Sequence, residues 1–344
     1  MWARNDQIRL FAVAVGVFLA APVFAQASGI GALSVDESEW YDTSFSRVRY
    51  ELVLPEPPVQ GEVFAVAVRG PQSGPVQGEL DIQGELELPD GFIVTAHGWR
   101  AASGVDRLWY LLFGIPSTTP AGSANIRVTV HSVVGETRLL TGSTTIQFGS
   151  FISETIALND DMSSLRSVWD PQKDEEARML RELLHTTNRN ARYHTGRFVA
   201  PLPVFRYTSY YGDRRTYAYS DGSTASGLHT GIDMAAPTGT PVAAAGRGRV
   251  AMATTRIVTG GTVIIEHLPA VYSIYYHLDT VDVEKGDFLE AGEILGTVGS
   301  TGLSTGPHLH WELRVAGVAV DPEQIIKAPY LDIMSVRRSL LTTP

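Results

Sequence analysis

Apolar residues recur at every second position along most of the chain, and at three- and four-residue spacing in one stretch. Alternating runs at Val63–Val68, Glu79–Leu88, Phe92–Ala96, Leu108–Phe113, Ile126–Val133 and Thr144–Phe148 predict strands, since successive side chains on a strand face opposite ways. Turn clusters such as Arg69-Gly70-Pro71 and Pro89-Asp90-Gly91 separate them. Strands at this spacing predict an immunoglobulin-like β-sandwich over residues 28–150. The pattern changes over 151–200, read as a linker. There Asp170-Pro171 followed by Asp174, Glu175 and Glu176 is a helix start, and Met179, Leu180, Leu183 and Leu184 form an apolar stripe. Asn188 to Asn190 end it, so one helix is predicted over 171–190. From Pro201 to 326 short runs around Val250, Val263–Ile265 and Tyr272–Tyr276 lie between closely spaced glycines. They predict a small, tightly turned β domain, followed by a tail over 327–344. The predicted fold class is mainly β.

One apolar run fits neither pattern. Leu10 to Ala21 follows Arg4 and Arg9, and leads to Pro22 and the small-x-small sequence Ala25-Gln26-Ala27. That is the layout of a signal peptide over 1–27, with an uncleaved anchor as the alternative. The run is short for a span of about 20 residues, and no later run is longer, so no stable membrane span is expected. The protein is expected to be exported to a periplasm or cell envelope.

Composition narrows the chemistry. The 344 residues contain no cysteine, which excludes a disulfide scaffold, thiolate metal sites and a cysteine nucleophile. The net charge is −10 with no long basic run, so no nucleic-acid partner is expected. Nine histidines remain as candidates for metal or acid–base chemistry.

Five of the nine fall in the last domain. His229-Thr230-Gly231-Ile232-Asp233 sits among glycines and Pro237, on an extended segment where positions four apart share a face. His308-Leu309-His310 opens a strand-like run through Val315 and places two imidazoles on one face. Two histidines and one carboxylate make a three-ligand zinc site with a fourth position open. His277, in Tyr275-Tyr276-His277-Leu278, reads on spacing alone as a core or strand-end residue. His97, His131, His185, His194 and His267 are read as structural, and Arg214 as an exposed arginine in a surface ion pair.

Residues 201–326 resemble the M23 metallopeptidases, the lysostaphin-like or LytM-type peptidoglycan endopeptidases. The likeness runs through Tyr210–Arg215, His229–Pro237, Gly239-Thr240-Pro241-Val242, Tyr276-His277-Leu278 and Gly299–Glu312, in that order. It implies a C-terminal domain of the lysostaphin-like, duplicated hybrid motif type. It implies one Zn²⁺ per chain on His229, Asp233 and His310, catalytic roles for His277 and His308, and peptidoglycan peptides as substrate. Zinc in such a site lowers the pKa of its water to about 7 and polarises a carbonyl. A nearby imidazole, pKa about 6.5, suits the proton transfers. His308 is the first candidate for that task. His277 is the candidate for stabilising the tetrahedral intermediate or sharing the proton traffic.

Rival readings are weaker. Gly302-Leu303-Ser304-Thr305-Gly306 fits a G-x-S-x-G elbow, but Pro307 and a strand follow where that elbow needs a helix. The run Val283–Gly296 is similar to the hairpins of lipoyl-like carriers but offers no lysine at a hairpin tip. A non-catalytic or latent envelope regulator is the main alternative. Under latency, the 171–190 helix covers the peptidase groove.

Overall fold

The computed structural model describes residues 50–327 except 55, 71–79, 101–107 and 133–134. The expected signal peptide and the tail beyond Lys327 lie outside the described residues.

Eight strands come first: β1 (Glu51–Val53), β2 (Val63–Arg69), β3 (Asp81–Glu87), β4 (Ile93–His97), β5 (Trp99–Arg100), β6 (Leu108–Gly114), β7 (Gly122–His131) and β8 (Thr137–Ile146). They form two four-stranded sheets, β1-β2-β6-β5 and β4-β3-β7-β8. Phe64, Val66 and Val68 of β2 and Trp109, Leu111 and Phe113 of β6 meet Ile82, Leu86, Val94, Ile126 and Val128 in one core. The opposite face of β2 and β6 is buried as well. Val63, Ala67, Tyr110 and Leu112 join a second core that includes Trp311, Leu313 and Val315 of the C-terminal region. This double burial explains why Leu108–Phe113 is an unbroken apolar run, where a half-exposed strand would alternate. β6 ends on Gly114, where a Cβ would come within 2.7 Å of Val318, so glycine permits the close approach of the two halves.

The connecting segment holds more than the single expected helix. β9 (Ser153–Ala157) is followed by α1 (Asp160–Ser167) and α2 (Pro171–Leu184). Asn159 caps α1 and Asp170 caps α2, each by accepting a backbone N–H. α2 stops six residues before the predicted 190. The His185 ring nitrogen Nδ1 and the Thr186 hydroxyl bond back to the carbonyls of Arg181 and Glu182, which closes the helix end. Met179, placed on the apolar stripe by spacing, is instead largely exposed; Leu180, Leu183 and Leu184 carry the packing.

The C-terminal region contains β10 (Arg206–Ser209), β11 (Arg214–Ala218), β12 (Thr224–Leu228), β13 (Ile232–Ala235), β14 (Pro241–Ala243), β15 (Gly248–Arg256), β16 (Gly260–Leu268) and β17 (Val271–Val281). They are followed by β18 (Phe288–Leu289), β19 (Ile294–Val298), β20 (His308–Val315), β21 (Val318–Val320) and α3 (Glu323–Lys327). Seven strands run in the order β10-β13-β20-β17-β16-β15-β18, with β14, β19 and β21 attached. β9 pairs in parallel with β11, and β11 with β12, as a separate three-stranded sheet.

Period-two alternation gives the large sheet two unlike faces. Ile232 and Met234 of β13, Tyr275 of β17 and Leu309, Trp311 and Leu313 of β20 turn into the core. Asp233, His308, His310 and Glu312 are therefore on the other face. Ile264, Tyr272, Ile274 and Tyr276 share that second face, where α2 covers them with Leu180, Leu183 and Leu184.

Candidate metal centre

Strand register brings the first three residues together. β13 and β20 are antiparallel, with Asp233 directly opposite His310. His229 precedes β13, and the chain bends at Gly231 to swing its ring over the same face. The bend lies tight against β20: a Cβ on Gly231 would come within 2.3 Å of the Trp311 carbonyl oxygen. As a result His229 Nε2 lies 3.1 Å from Asp233 Oδ1, and His310 Nδ1 lies 2.7 Å from the same oxygen. The two ring nitrogens are 3.0 Å apart. One donor atom from each residue lies within 4.8 Å of the others.

Each imidazole is oriented from behind. His229 Nδ1 donates to the Tyr210 carbonyl at 2.7 Å, which leaves Nε2 as the lone pair facing the cluster. His310 Nε2 donates to Glu312 Oε1 at 3.0 Å, which leaves Nδ1 facing it. Glu312 is held in turn by Thr230 Oγ1 at 2.6 Å and by Arg314 at 2.6 Å. Asp233 turns its other oxygen, Oδ2, to Arg215 Nη2 at 2.7 Å. Two nitrogen lone pairs and one carboxylate oxygen, each fixed by an outer partner, suit a zinc-like divalent cation.

Electrostatics follow from this packing. Burial alone would raise the Asp233 carboxyl, but the His229 and His310 imidazoles packed against it hold it well below the usual range. Burial opposes charge on His310, yet the bonds to Asp233 and Glu312 push it up to about 9. Burial works against the Glu312 anion too, but Arg314 and His310 bring it down to about 2. An anionic cluster that draws a proton onto His310 is one a cation can occupy instead.

His277 and His308 sit beside this cluster. Their ring centroids are 4.8 Å apart, and His308 Nε2 lies 3.6 Å from Asp233 Oδ1. Both rings donate through Nδ1 to backbone carbonyls, His277 to Thr301 at 2.7 Å and His308 to Gly306 at 2.8 Å. Nε2 is then the lone pair in each. Tyr276 stacks on His310 at 5.6 Å, so two successive residues, Tyr276 and His277, reach the same side. A regular strand forbids that; His277 manages it with a left-handed φ of 62° where the β16–β17 register shifts. Burial pushes the His277 imidazole down to about 3, so it is neutral at pH 7.

Residues 227–322 match the family model described as Peptidase family M23. This chain carries an M23 peptidase domain. Over 98 residues it is 45% identical to the DD-carboxypeptidase/endopeptidase Mpg of Neisseria meningitidis, covering 28% of this chain and 23% of that protein. Over 126 residues it is 36% identical to the peptidoglycan DD-endopeptidase ShyC of Vibrio cholerae, covering 37% of this chain and 28% of that protein. The chain thus spans about a quarter of the length of these curated relatives. A crystal structure of an M23 peptidase candidate from Pseudomonas aeruginosa aligns with a TM-score of 0.52 at 23% identity, over 78% of this chain and 95% of that one. That likeness concerns the fold.

Within the M23 domain the five residues singled out from the sequence, His229, Asp233, His277, His308 and His310, lie on one face. His267 does not join them. It is fully buried between the Arg247 carbonyl at 2.9 Å and Ser273 Oγ at 2.7 Å, and burial pushes its pKa down to about 3. Ser304 lies in the turn before β20, 3.3 Å from His308 Nδ1, with a strand rather than a helix following. Arg214 is no surface ion pair: it donates to the Ser117 carbonyl at 2.8 Å and lies over the Phe151 ring, joining the loop after β6 to the start of β11. Sequence reasoning missed Arg215 and Glu154, whose side chains meet at 2.6 Å, and gave Glu312 no role. Glu312 was visible as the carboxylate two residues after His310 on a strand.

Proposed function

We propose that this chain is a zinc-dependent endopeptidase that hydrolyses peptide cross-links or stem peptides of peptidoglycan. The observation that carries the reading is the convergence of His229 Nε2, Asp233 Oδ1 and His310 Nδ1, with the lone pairs of two further histidines beside them. A zinc ion held by those three residues supplies Lewis-acid chemistry for attack on a peptide carbonyl.

The chain's own residues do the rest. His308, anchored through Nδ1–H, offers Nε2 as the base that takes a proton from water and later returns it to the leaving amine. His277 has its Nδ1–H committed to Thr301 and is kept neutral by burial, so it offers a lone pair rather than a proton. That favours a share in the proton traffic over donation to an oxyanion. Glu312 and the Tyr210 carbonyl hold the ligand rings in the tautomers the site needs. We place the cut at the D-alanine-to-diamino-acid cross-link, in a periplasm or envelope; the relatives' names, peptidoglycan DD-endopeptidase and DD-carboxypeptidase/endopeptidase, support a DD-type bond in peptidoglycan. No described helix is long and apolar enough to cross a membrane.

The test is digestion of purified peptidoglycan by the full chain, with and without a chelator, followed by mass analysis of the released muropeptides. Release that a chelator abolishes and zinc restores is expected. Stoichiometric zinc with no release would replace this reading with a regulator or a latent enzyme. One observation favours latency as the second reading. His229, Asp233, His277 and His310 are all no more than 8% exposed, and α2 lies on their face of the sheet.

A further inference from the structure

We propose that Arg215 and Glu154 are a positioning pair that fixes how Asp233 presents its carboxylate to the metal. The proposal rests on the metal-dependent reading above but concerns two residues outside the matched span 227–322.

Asp233 has two oxygens with two separate duties. Oδ1 faces His229 and His310, while Oδ2 is taken by Arg215 Nη2 at 2.7 Å. A carboxylate whose second oxygen is tied to a guanidinium cannot rotate freely and has one oxygen left to give. Arg215 divides its donors: Nε goes to Glu154 Oε1 at 2.6 Å, and that oxygen also accepts Ser209 Oγ at 2.9 Å. The side chains of Arg215, Asp233 and Glu154 are 10%, 12% and 26% exposed, so their charges interact through protein more than through water.

Backbone pairing builds the clamp. The parallel β9–β11 ladder sets Glu154 opposite Arg215, and the β10–β13 ladder sets Ser209 opposite Asp233. The strand that supplies Glu154 therefore comes from the segment between the sandwich and the M23 domain.

The charges explain why two residues are needed. Arg215 alone would hold Asp233 still, but its cation would repel a second cation a few ångströms away and cancel the carboxylate that attracts it. Glu154 balances Arg215, so Asp233 keeps its net pull on a metal. Removing Arg215 frees Oδ2 and leaves Glu154 without its cation. Removing the Glu154 charge leaves Arg215 uncompensated beside the site. Lysine at 215 keeps the charge but lacks the planar fork that reaches both carboxylates.

The test uses the full chain and metal alone. Zinc affinity is measured by chelator competition for wild type, Arg215→Ala, Arg215→Lys and Glu154→Gln. The visible spectrum of each cobalt-loaded protein and its metal-free melting temperature are recorded beside it. Arg215→Ala and Glu154→Gln are expected to bind zinc about 10- to 100-fold more weakly, the range for partners behind metal ligands. Arg215→Lys should fall between these and wild type, and the cobalt bands should move in Arg215→Ala. Zinc affinities and cobalt spectra indistinguishable from wild type in the folded variants would overturn the proposal. So would a lower melting temperature with unchanged affinity, the mark of a merely structural tie. If Arg215→Ala does not fold, Arg215→Lys and Glu154→Gln decide the matter by the same readouts. No readout involves peptidoglycan, so an inactive but zinc-binding wild type would sink the proposed function and leave this inference standing.

Discussion

Glu312 Oε1 accepts the Nε2–H of His310 at 3.0 Å from two residues along the same strand. The bond selects the tautomer that leaves Nδ1 facing Asp233. Glu312→Gln keeps the shape but removes the charge, and it leaves the buried Arg314 guanidinium without its carboxylate. Zinc affinity should fall about 10- to 100-fold, as expected for loss of a carboxylate behind a metal-bound histidine. Stability should fall by about 3 kcal/mol through the unpaired arginine. Chelator competition and urea unfolding measure the two effects separately.

The five site residues divide by what their loss removes. His310→Ala or His229→Ala takes away a proposed ligand and should yield a protein without stoichiometric zinc. His277→Ala and His308→Ala keep all three proposed ligands and should keep the metal, yet lose activity on the order of 10²- to 10⁴-fold, the usual contribution of acid–base groups. Elemental analysis together with muropeptide release separates the two classes. Zinc-replete, fully active His277→Ala and His308→Ala proteins would remove both from the mechanism.

Much of this was legible in sequence because period-two alternation survives folding. The runs around β2, β3, β4 and β6 are strands within two residues of their expected bounds, apart from one end of the Glu79–Leu88 run, whose first residue lies outside the described residues. His308 and His310 do share a face, and spacing suffices because both lie on β20. His277 was different: parity along β17 would turn it into the core, and only its left-handed φ sends it to the site. The Arg215–Glu154 contact was not legible either. It spans 61 residues and depends on a parallel pairing that no local pattern announces. α1 was missed because Met162 and Leu165 are the only apolar residues in its sequence, too few to make a stripe, although Asn159-Asp160-Asp161 is a cap followed by first-turn acids.

Gly231 provides a stringent test of the bend that delivers His229. A Cβ there would sit 2.3 Å from the Trp311 carbonyl oxygen, a backbone atom that cannot move aside alone. Gly231→Ala should cost about 1–3 kcal/mol, the range for overpacking. It should also weaken zinc binding, because relief of the clash moves His229 away from Asp233. A variant with wild-type stability and zinc affinity would show that β13 and β20 separate more easily than their register implies.

His267 should make the protein acid-sensitive. Burial pushes its folded pKa down to about 3, below the ordinary histidine value of about 6.5, so the neutral form is favoured by folding. The stabilisation is fully present above about pH 6.5 and is lost as pH falls toward 3, because the unfolded chain takes up a proton that the folded one refuses. The size is on the order of 5 kcal/mol at the acid end. His229 and His277 have lowered pKa values too, so the measurement is a difference. His267→Gln should be less stable than wild type at pH 7.5, and the gap should narrow by pH 4.5. A gap that stays constant in urea unfolding at the two pH values would mean that His267 does not remain neutral.

α2 tests whether the connecting segment restrains the M23 domain. Leu180, Leu183 and Leu184 pack on Ile264, Tyr272, Ile274 and Tyr276, and Tyr276 stacks on His310. Near the other end of the helix, Glu176 Oε2 accepts the Ile257 backbone N–H at 3.0 Å, close to the loop whose Thr259 carbonyl accepts the His277 backbone N–H. The helix therefore touches both sides of the His277 region. Cutting the chain before the M23 domain would also remove Glu154, so a truncated protein would confound cover with clamp. Leu180→Ala/Leu183→Ala leaves Glu154 in place and removes two half-buried contacts, for a loss of a few kcal/mol at most. If α2 restricts access, this variant should release muropeptides faster than wild type at equal zinc content. Release equal to or slower than wild type, with the fold intact, would make the helix a support for Tyr276 rather than a cover.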